Sequence, residues 1–175
     1  MSIKRLGIVK VTSGILVISD PCYSKSAGYD ELPAVNGNWK AHVSIGNQGR
    51  VSSLTLVHAT EHPDMGSSAK ERLTFVGVDS GQMSAFDSSA YRKDKLAEGM
   101  TQPSWMTSKR LREEPKGEKF YGACCALTCT DDSKGLKGGN FKEVGVVCES
   151  GWGDGSYPLY VWKKGNKVVK VQVKF

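Results

Sequence analysis

Paired metal-binding cysteines, long apolar runs and extended helical periodicity are all missing from this 175-residue chain. Its five cysteines, Cys22, Cys124, Cys125, Cys129 and Cys148, contain no C-x-x-C pair, which removes the usual cysteine route to a zinc site. An odd number with two adjacent thiols suits free buried cysteines better than a disulfide framework. No apolar run approaches the ~20 residues that span a bilayer. The first residues, Met1-Ser2-Ile3-Lys4-Arg5-Leu6, lack the apolar core of a signal peptide, so the expected location is cytoplasmic, with no membrane partner. Histidine is scarce, and none stands near Cys22 to activate it as a nucleophile.

What is present points to strands. Few leucines, many valines and 20 glycines lean towards β structure, and the length suits a single domain over residues 1–175 with a real core. A formal net charge of +6 favours anionic partners such as nucleotides, nucleic acid or an acidic protein surface.

Two segments repeat one pattern. Residues 7–20 alternate around Ser13-Gly14, and residues 73–86 alternate around Ser80-Gly81. Read as two-residue hairpins, the first sets Val11 opposite Leu16 and Val9 opposite Ile18, and the second sets Val78 opposite Met83 and Val76 opposite Ala85. Asp20 and Asp87 follow at the same interval beyond the turn glycine and share the core parity. That equivalence predicts that the two carboxylates approach each other at one end of the fold.

Strands are also expected at 39–45 and 51–59, joined by Gly46-Asn47-Gln48-Gly49, with a polar loop after them at 61–72. Residues 88–100 are the best helix candidate, 103–117 hold a further helical turn or two, and the small residues of 119–130 read as a buried strand in which Cys124 and Cys125 face opposite sides. The C-terminal hairpin, 156–164 and 167–175, closes at Gly165-Asn166. Counting outward from that turn pairs Trp162 with Val169 and Tyr160 with Val171 on the core face. It leaves Tyr157, Leu159 and Val161 outside beside Lys170 and Lys174. The expected fold is therefore all-β or a β-dominated α+β arrangement, a barrel or sandwich of antiparallel hairpins with one or two short helices.

Three patterns bear on chemistry. His58-Ala59-Thr60-Glu61-His62 has the H-x-x-E-H letters of inverted zinc peptidases, but it follows a strand, and Pro63 pushes His62 out of the helical region. A strand end is the better reading, and neither a metal nor another cofactor is expected. Asp20, Asp87 and Asp154 would line one end of the fold if the three glycine-turn segments lay side by side, whereas singly each is read as a cap on loop N–H groups or as part of a turn. Lysines 163, 164, 167, 170 and 174 make the terminal hairpin basic, with Tyr157 as a stacking surface.

Three stretches taken together carry a resemblance: Ser13-Gly14 to Asp20-Pro21-Cys22-Tyr23, Val78-Asp79-Ser80-Gly81-Gln82 to Phe86-Asp87, and Glu149-Ser150-Gly151-Trp152-Gly153-Asp154-Gly155-Ser156-Tyr157-Pro158. They resemble bacterial and bacteriophage proteins of a domain-of-unknown-function family marked by a late Gly-Asp-Gly motif. The resemblance implies a prokaryotic or phage cytosolic setting and no particular mechanism. The expected function is a non-enzymatic binding protein for an anionic, nucleotide-like small molecule or a host protein, with nucleic acid open but not favoured. Its ligand residues would be Asp20, Asp87, Trp152, Asp154, Tyr157, Lys170 and Lys174. The alternatives are a hydrolase using Asp20, Asp87 and Asp154, and a protein-binding inhibitor without a small ligand.

Overall fold

The computed structural model describes residues 2–24, 30–63, 71–108, 110, 116–128 and 137–175. Valine-rich alternation there produces, in chain order, β1 (Ser2–Val11), β2 (Ile15–Ser19), β3 (Asp30–Pro33), β4 (Gly37–Ile45), β5 (Val51–His58), β6 (Glu71–Val78), β7 (Gln82–Asp87), the helix α1 (Glu118–Thr128), β8 (Gly138–Phe141), β9 (Gly145–Glu149), β10 (Gly155–Lys164) and β11 (Lys167–Lys174). The strands form two antiparallel sheets, β1-β4-β5-β11-β10-β6 and β3-β2-β7-β9-β8. Neither sheet closes on itself, so the fold is a β-dominated sandwich rather than a barrel.

Val9, Val11, Leu16, Ile18, Trp39, Leu54, Leu56, Leu159 and Val171 fill the space between the sheets. A second cluster, including Val17, Phe86, Phe120, Phe141 and Val147, lies between the five-stranded sheet and α1. The five-stranded sheet is thus a middle layer, and β7 is buried at every position although it carries Gln82, Ser84 and Asp87. The outer face of the six-stranded sheet has no such cover among the described residues.

The hairpin of β4 and β5 has the expected pairing. The two Ser-Gly turns do not make hairpins. β1 pairs with β4, and β2 pairs with β3 and β7; likewise β6 pairs with β10, and β7 with β2 and β9. Each Ser-Gly turn instead carries the chain from the six-stranded sheet to the five-stranded one. The core parity is unaffected, because residues expected to be strand neighbours face each other across the sandwich.

At the C-terminus the register runs Lys164 to Lys167 and Lys163 to Val168 as counted, then shifts to Trp162 opposite Lys170, Val161 opposite Val171 and Tyr160 opposite Gln172. The extra residue at this bulge is Val169. One inserted residue moves every later side chain to the other face. Tyr157, Leu159 and Val161 therefore join the core, while Tyr160 and Trp162 turn outward with Lys170 and Lys174.

Residues 118–128 form a helix and not a strand. Phe120, Ala123, Cys124 and Leu127 recur at the three-to-four spacing of one helical face. The Asp94 carboxylate accepts the N–H groups of Gly117 at 2.8 Å and Phe120 at 3.0 Å, a cap supplied from outside the helix. Cys124 and Cys125 are neighbours on this helix and both are buried. The helix expected at 88–100 is reduced to turns and a 3-10 turn, Asp94–Ala97, and Arg92, at φ 56°, breaks any α-helical run there. Within 103–117, where helical turns are expected, Ser108 and Arg110 are helical, and residues 109 and 111–115 lie outside the described residues, as does most of the loop 61–72.

No helix among the described residues is long and apolar enough to cross a membrane. Cys22, Cys124, Cys125 and Cys148 are free thiols, and Cys129 lies outside the described residues.

Candidate functional site

The two crossing turns exchange their carboxylates. Asp20, at the end of β2, accepts the N–H groups of Asp79 at 2.8 Å and Ser80 at 2.7 Å and the Ser80 hydroxyl at 2.6 Å, all in the turn between β6 and β7. Asp87, at the end of β7, accepts the N–H groups of Thr12 and Ser13 in the turn between β1 and β2. Each aspartate also takes an N–H from its own loop, Cys22 for Asp20 and Ser89 for Asp87. The repeated interval in the sequence thus reflects a structural equivalence. It does not bring the carboxylates together: β2 and β7 are antiparallel, with Leu16 opposite Asp87 and Ser19 opposite Ser84, so equivalent residues fall at opposite ends. Four residues of strand separate the two levels, roughly 13 Å.

Asp154 joins Asp20. Its Oδ1 accepts the Gly81 N–H at 2.9 Å, so successive N–H groups of residues 79, 80 and 81 point at carboxylates of the protein itself. Runs of converging backbone N–H groups are ready-made anion sites, and here the occupants are built in. Around this corner Tyr91 donates its hydroxyl to the carbonyls of Asp20 and Tyr23, and Arg92 donates to those of Pro21 and Cys22. Burial, then the Asp20 and Asp79 carboxylates, push the Cys22 thiol up to about 12, which keeps it protonated and non-nucleophilic at neutral pH.

His58, first of the H-x-x-E-H letters, is committed to backbone. Its Nδ1 accepts the N–H groups of Thr60 at 3.3 Å and Glu61 at 2.9 Å, so the ring proton is on Nε2, 3.0 Å from the Asn36 carbonyl that accepts it. Glu61 instead meets Lys164 at 2.6 Å. Among the described residues no three His, Cys, Asp or Glu side chains gather as a metal site.

The glycine-aromatic motif is a rigid corner between β9 and β10. Gly151 has φ 70°, and a Cβ there would stand 2.1 Å from the Val51 carbonyl oxygen, so both the conformation and the space require glycine. Ser150 and Tyr157 both donate hydroxyl protons to the Gly153 carbonyl, at 2.6 and 2.8 Å. Tyr157 is buried, its ring against Phe175, and does not share a surface with Lys170 and Lys174. Trp152 is 63% exposed, with the Arg50 guanidinium 4.7 Å from its ring centroid. The two border a cleft of about 270 Å³ beside the turn between β4 and β5.

That corner, the turn at residues 79–81 and Asp87 itself lie within residues 59–173, which match the family model described as a protein of unknown function, DUF4241. The chain belongs to this family. The matched stretch begins after β5, so Asp20 lies outside it although its carboxylate holds a turn inside it. No curated protein and no solved structure matches the chain.

Solvent-facing charge collects on the outer face of the six-stranded sheet. One row crosses all six strands: Arg72, Tyr160, Gln172, Thr55, His42 and Arg5 are successive cross-strand partners. The next row runs Trp162, Lys170, Val57, Lys40 and Ile8. Lys174, opposite Ser53, begins a third. None of these positions carries a carboxylate. The Lys170 ammonium lies 4.2 Å from the Trp162 ring centroid and that of Lys174 5.6 Å from Tyr160. Towards β1 the face dips into a cleft of about 540 Å³ lined by Ile3, Arg5, Ile8, Lys40 and His42. Burial, with the Lys170 charge, pushes the His42 imidazole below its ordinary value, which favours the neutral ring in a cleft it shares with Arg5 and Lys40.

The structure thus places Lys170 and Lys174 on one open cationic face, Trp152 and Asp154 at a separate corner, and Asp20 and Asp87 inside. The sequence reading missed Arg5, Lys40, Arg72, Tyr160 and Trp162 as companions of the two lysines. The signal for Lys40 and His42 was available, since they alternate with Trp39, Ala41 and Val43.

Proposed function

We propose that the protein is a non-enzymatic binding protein for an anionic, nucleotide-like ligand, held on the outer face of the six-stranded sheet. One observation carries the reading: Arg5, Lys40, Arg72, Lys170 and Lys174 share this face with Tyr160 and Trp162, and no described outward position of its two central rows is acidic. A field of one sign raises the local concentration of the opposite ion, and aromatic rings beside it offer stacking surfaces for a base. In the free protein Lys170 and Lys174 lie over those rings. An arriving phosphate would draw the ammonium groups away and bare the rings, giving up exposed cation–π contacts of about 0.5–1 kcal/mol each.

The hydrolase reading has less support. The described oxygens of Asp20 and Asp87 are taken by turn N–H and hydroxyl groups, and the two side chains stand at opposite ends of β2 and β7. A fluorescence titration with ATP tests the proposal. Lys170→Gln with Lys174→Gln should weaken binding about tenfold, roughly 1.4 kcal/mol, while leaving the melting temperature in place, and salt should weaken the wild type more than the variant. Unchanged affinity in the variant would remove the lysine face from the site.

A further inference from the structure

We infer that the ligand of this face is a single-stranded nucleic acid lying across the strands, a deepening that rests on the anion-binding reading above. The cations of this face are spread along it. Arg72 and Arg5 stand at the two ends of one cross-strand row, with five inter-strand steps between them. At ~4.8 Å per step they are roughly 24 Å apart. Lys170 and Lys40, in the adjoining row, are separated by the single strand β5. A mononucleotide concentrates its charge at one end and meets one of these groups or two. A chain of phosphates meets them in succession.

The aromatic groups fit the same occupant. Tyr160 and Trp162 are two residues apart on one strand and face the same way, roughly 6–7 Å from each other. That spacing suits unstacked bases splayed from a strand, whereas a duplex keeps its base faces inside. At the β1 end, the cleft lined by Arg5, Lys40 and His42 offers two cations and a ring N–H to a phosphate. The apolar Ile3 and Ile8 beside them provide a surface for the attached sugar or base. The sheet therefore reads as a track with stacking rings towards one edge and a phosphate seat towards the other.

The test compares a 12-residue oligouridylate, its duplex with oligoadenylate, and UMP, each titrated against the full chain over a range of salt. The single strand should bind at least a hundredfold more tightly than UMP. Single strands lose affinity with salt at a log–log slope of about −0.7 per neutralised phosphate, so five cations set a limit near −3.5. Arg5→Gln with Lys40→Gln, and separately Lys170→Gln with Lys174→Gln, should each make the slope shallower by about 1.4, at unchanged melting temperature. If UMP binds as tightly as the 12-mer and the Arg5/Lys40 pair is silent, the polymer assignment fails and the anion-binding face stands. Equal binding of the duplex overturns the single-strand assignment. If neither the 12-mer nor UMP binds, both readings fall.

Discussion

Asp20 and Asp87 fasten equivalent turns, but their surroundings differ. Asp20 is wholly buried and bounded by Tyr91, the raised Cys22 thiol and, across the same turn, Asp154. Asp87 is equally buried, yet its partners Thr12, Ser13 and Ser89 are exposed. Burial alone would raise the Asp87 carboxyl, but hydrogen bonds from Ser89, Ser13 and Thr12 outweigh it and hold it below the ordinary carboxylate value. An inward carboxylate at a strand end need not signal catalysis. Here it satisfies the backbone N–H groups of a turn that leaves one sheet for the other, where no ladder partner is available.

The largest loss of stability is expected at Asp20. Asp20→Asn keeps the shape but replaces one accepting oxygen with a donor that faces N–H groups. With each stranded buried donor worth about 1–3 kcal/mol, urea unfolding should show a loss of about 3 kcal/mol or more. Asp87→Asn should cost about 2 kcal/mol, since water reaches its partners more readily. A loss at Asp87 equal to or above that at Asp20 would show that the buried surroundings of Asp20 add nothing.

Acid loosens the Asp87 fastening. The folded-state value of Asp87 is depressed, so its contribution is fully present above the ordinary value of 3.8 and is lost as pH falls through the depressed folded value. Unfolding followed from pH 5 down to pH 2 should therefore show a stability decrease that is smaller in Asp87→Asn than in the wild type. The smallest effects concern the turn serines. Ser80→Ala removes a 2.6 Å hydrogen bond to Asp20 and should cost about 1 kcal/mol, whereas Ser13→Ala, whose hydroxyl bonds only locally with Ile15, should cost about 0.5 kcal/mol or less. Equal losses would mean that the hydroxyl at Ser80 is not part of the fastening.

Much of this architecture was written in the alternation of the chain. The parity of Val9, Val11, Leu16 and Ile18 identifies core residues whichever strands they pair with, and the equal interval from Gly14 to Asp20 and from Gly81 to Asp87 marks a true equivalence. Pairing was not legible, because a Ser-Gly turn serves a hairpin and a crossing between sheets equally well. Nothing local says that a carboxylate will reach the other turn. The outer face was hidden by a single residue: the bulge at Val169 has no signature in a run of Val168, Val169, Val171 and Val173, and counting through it exchanged the aromatics of the core for those of the surface. The strand expected at 119–130 failed for another reason. Its small residues fit either period, and the cap that favours the helix comes from Asp94, more than twenty positions away.

The exchanged carboxylates also govern when the protein can be finished. Ser80 is 60 residues from Asp20, and Thr12 is 75 residues from Asp87. During synthesis the first crossing stays unfastened until residue 87 has left the ribosome, and β5 lacks its neighbour β11 until residues 167–174 emerge. Contacts this distant slow folding and lengthen the time that strand edges stand open. The order of events on the ribosome is therefore fixed by the fold: β1 to β5 must wait, and a chain in which the hairpin of β10 and β11 is not yet made would expose the centre of the six-stranded sheet rather than its rim.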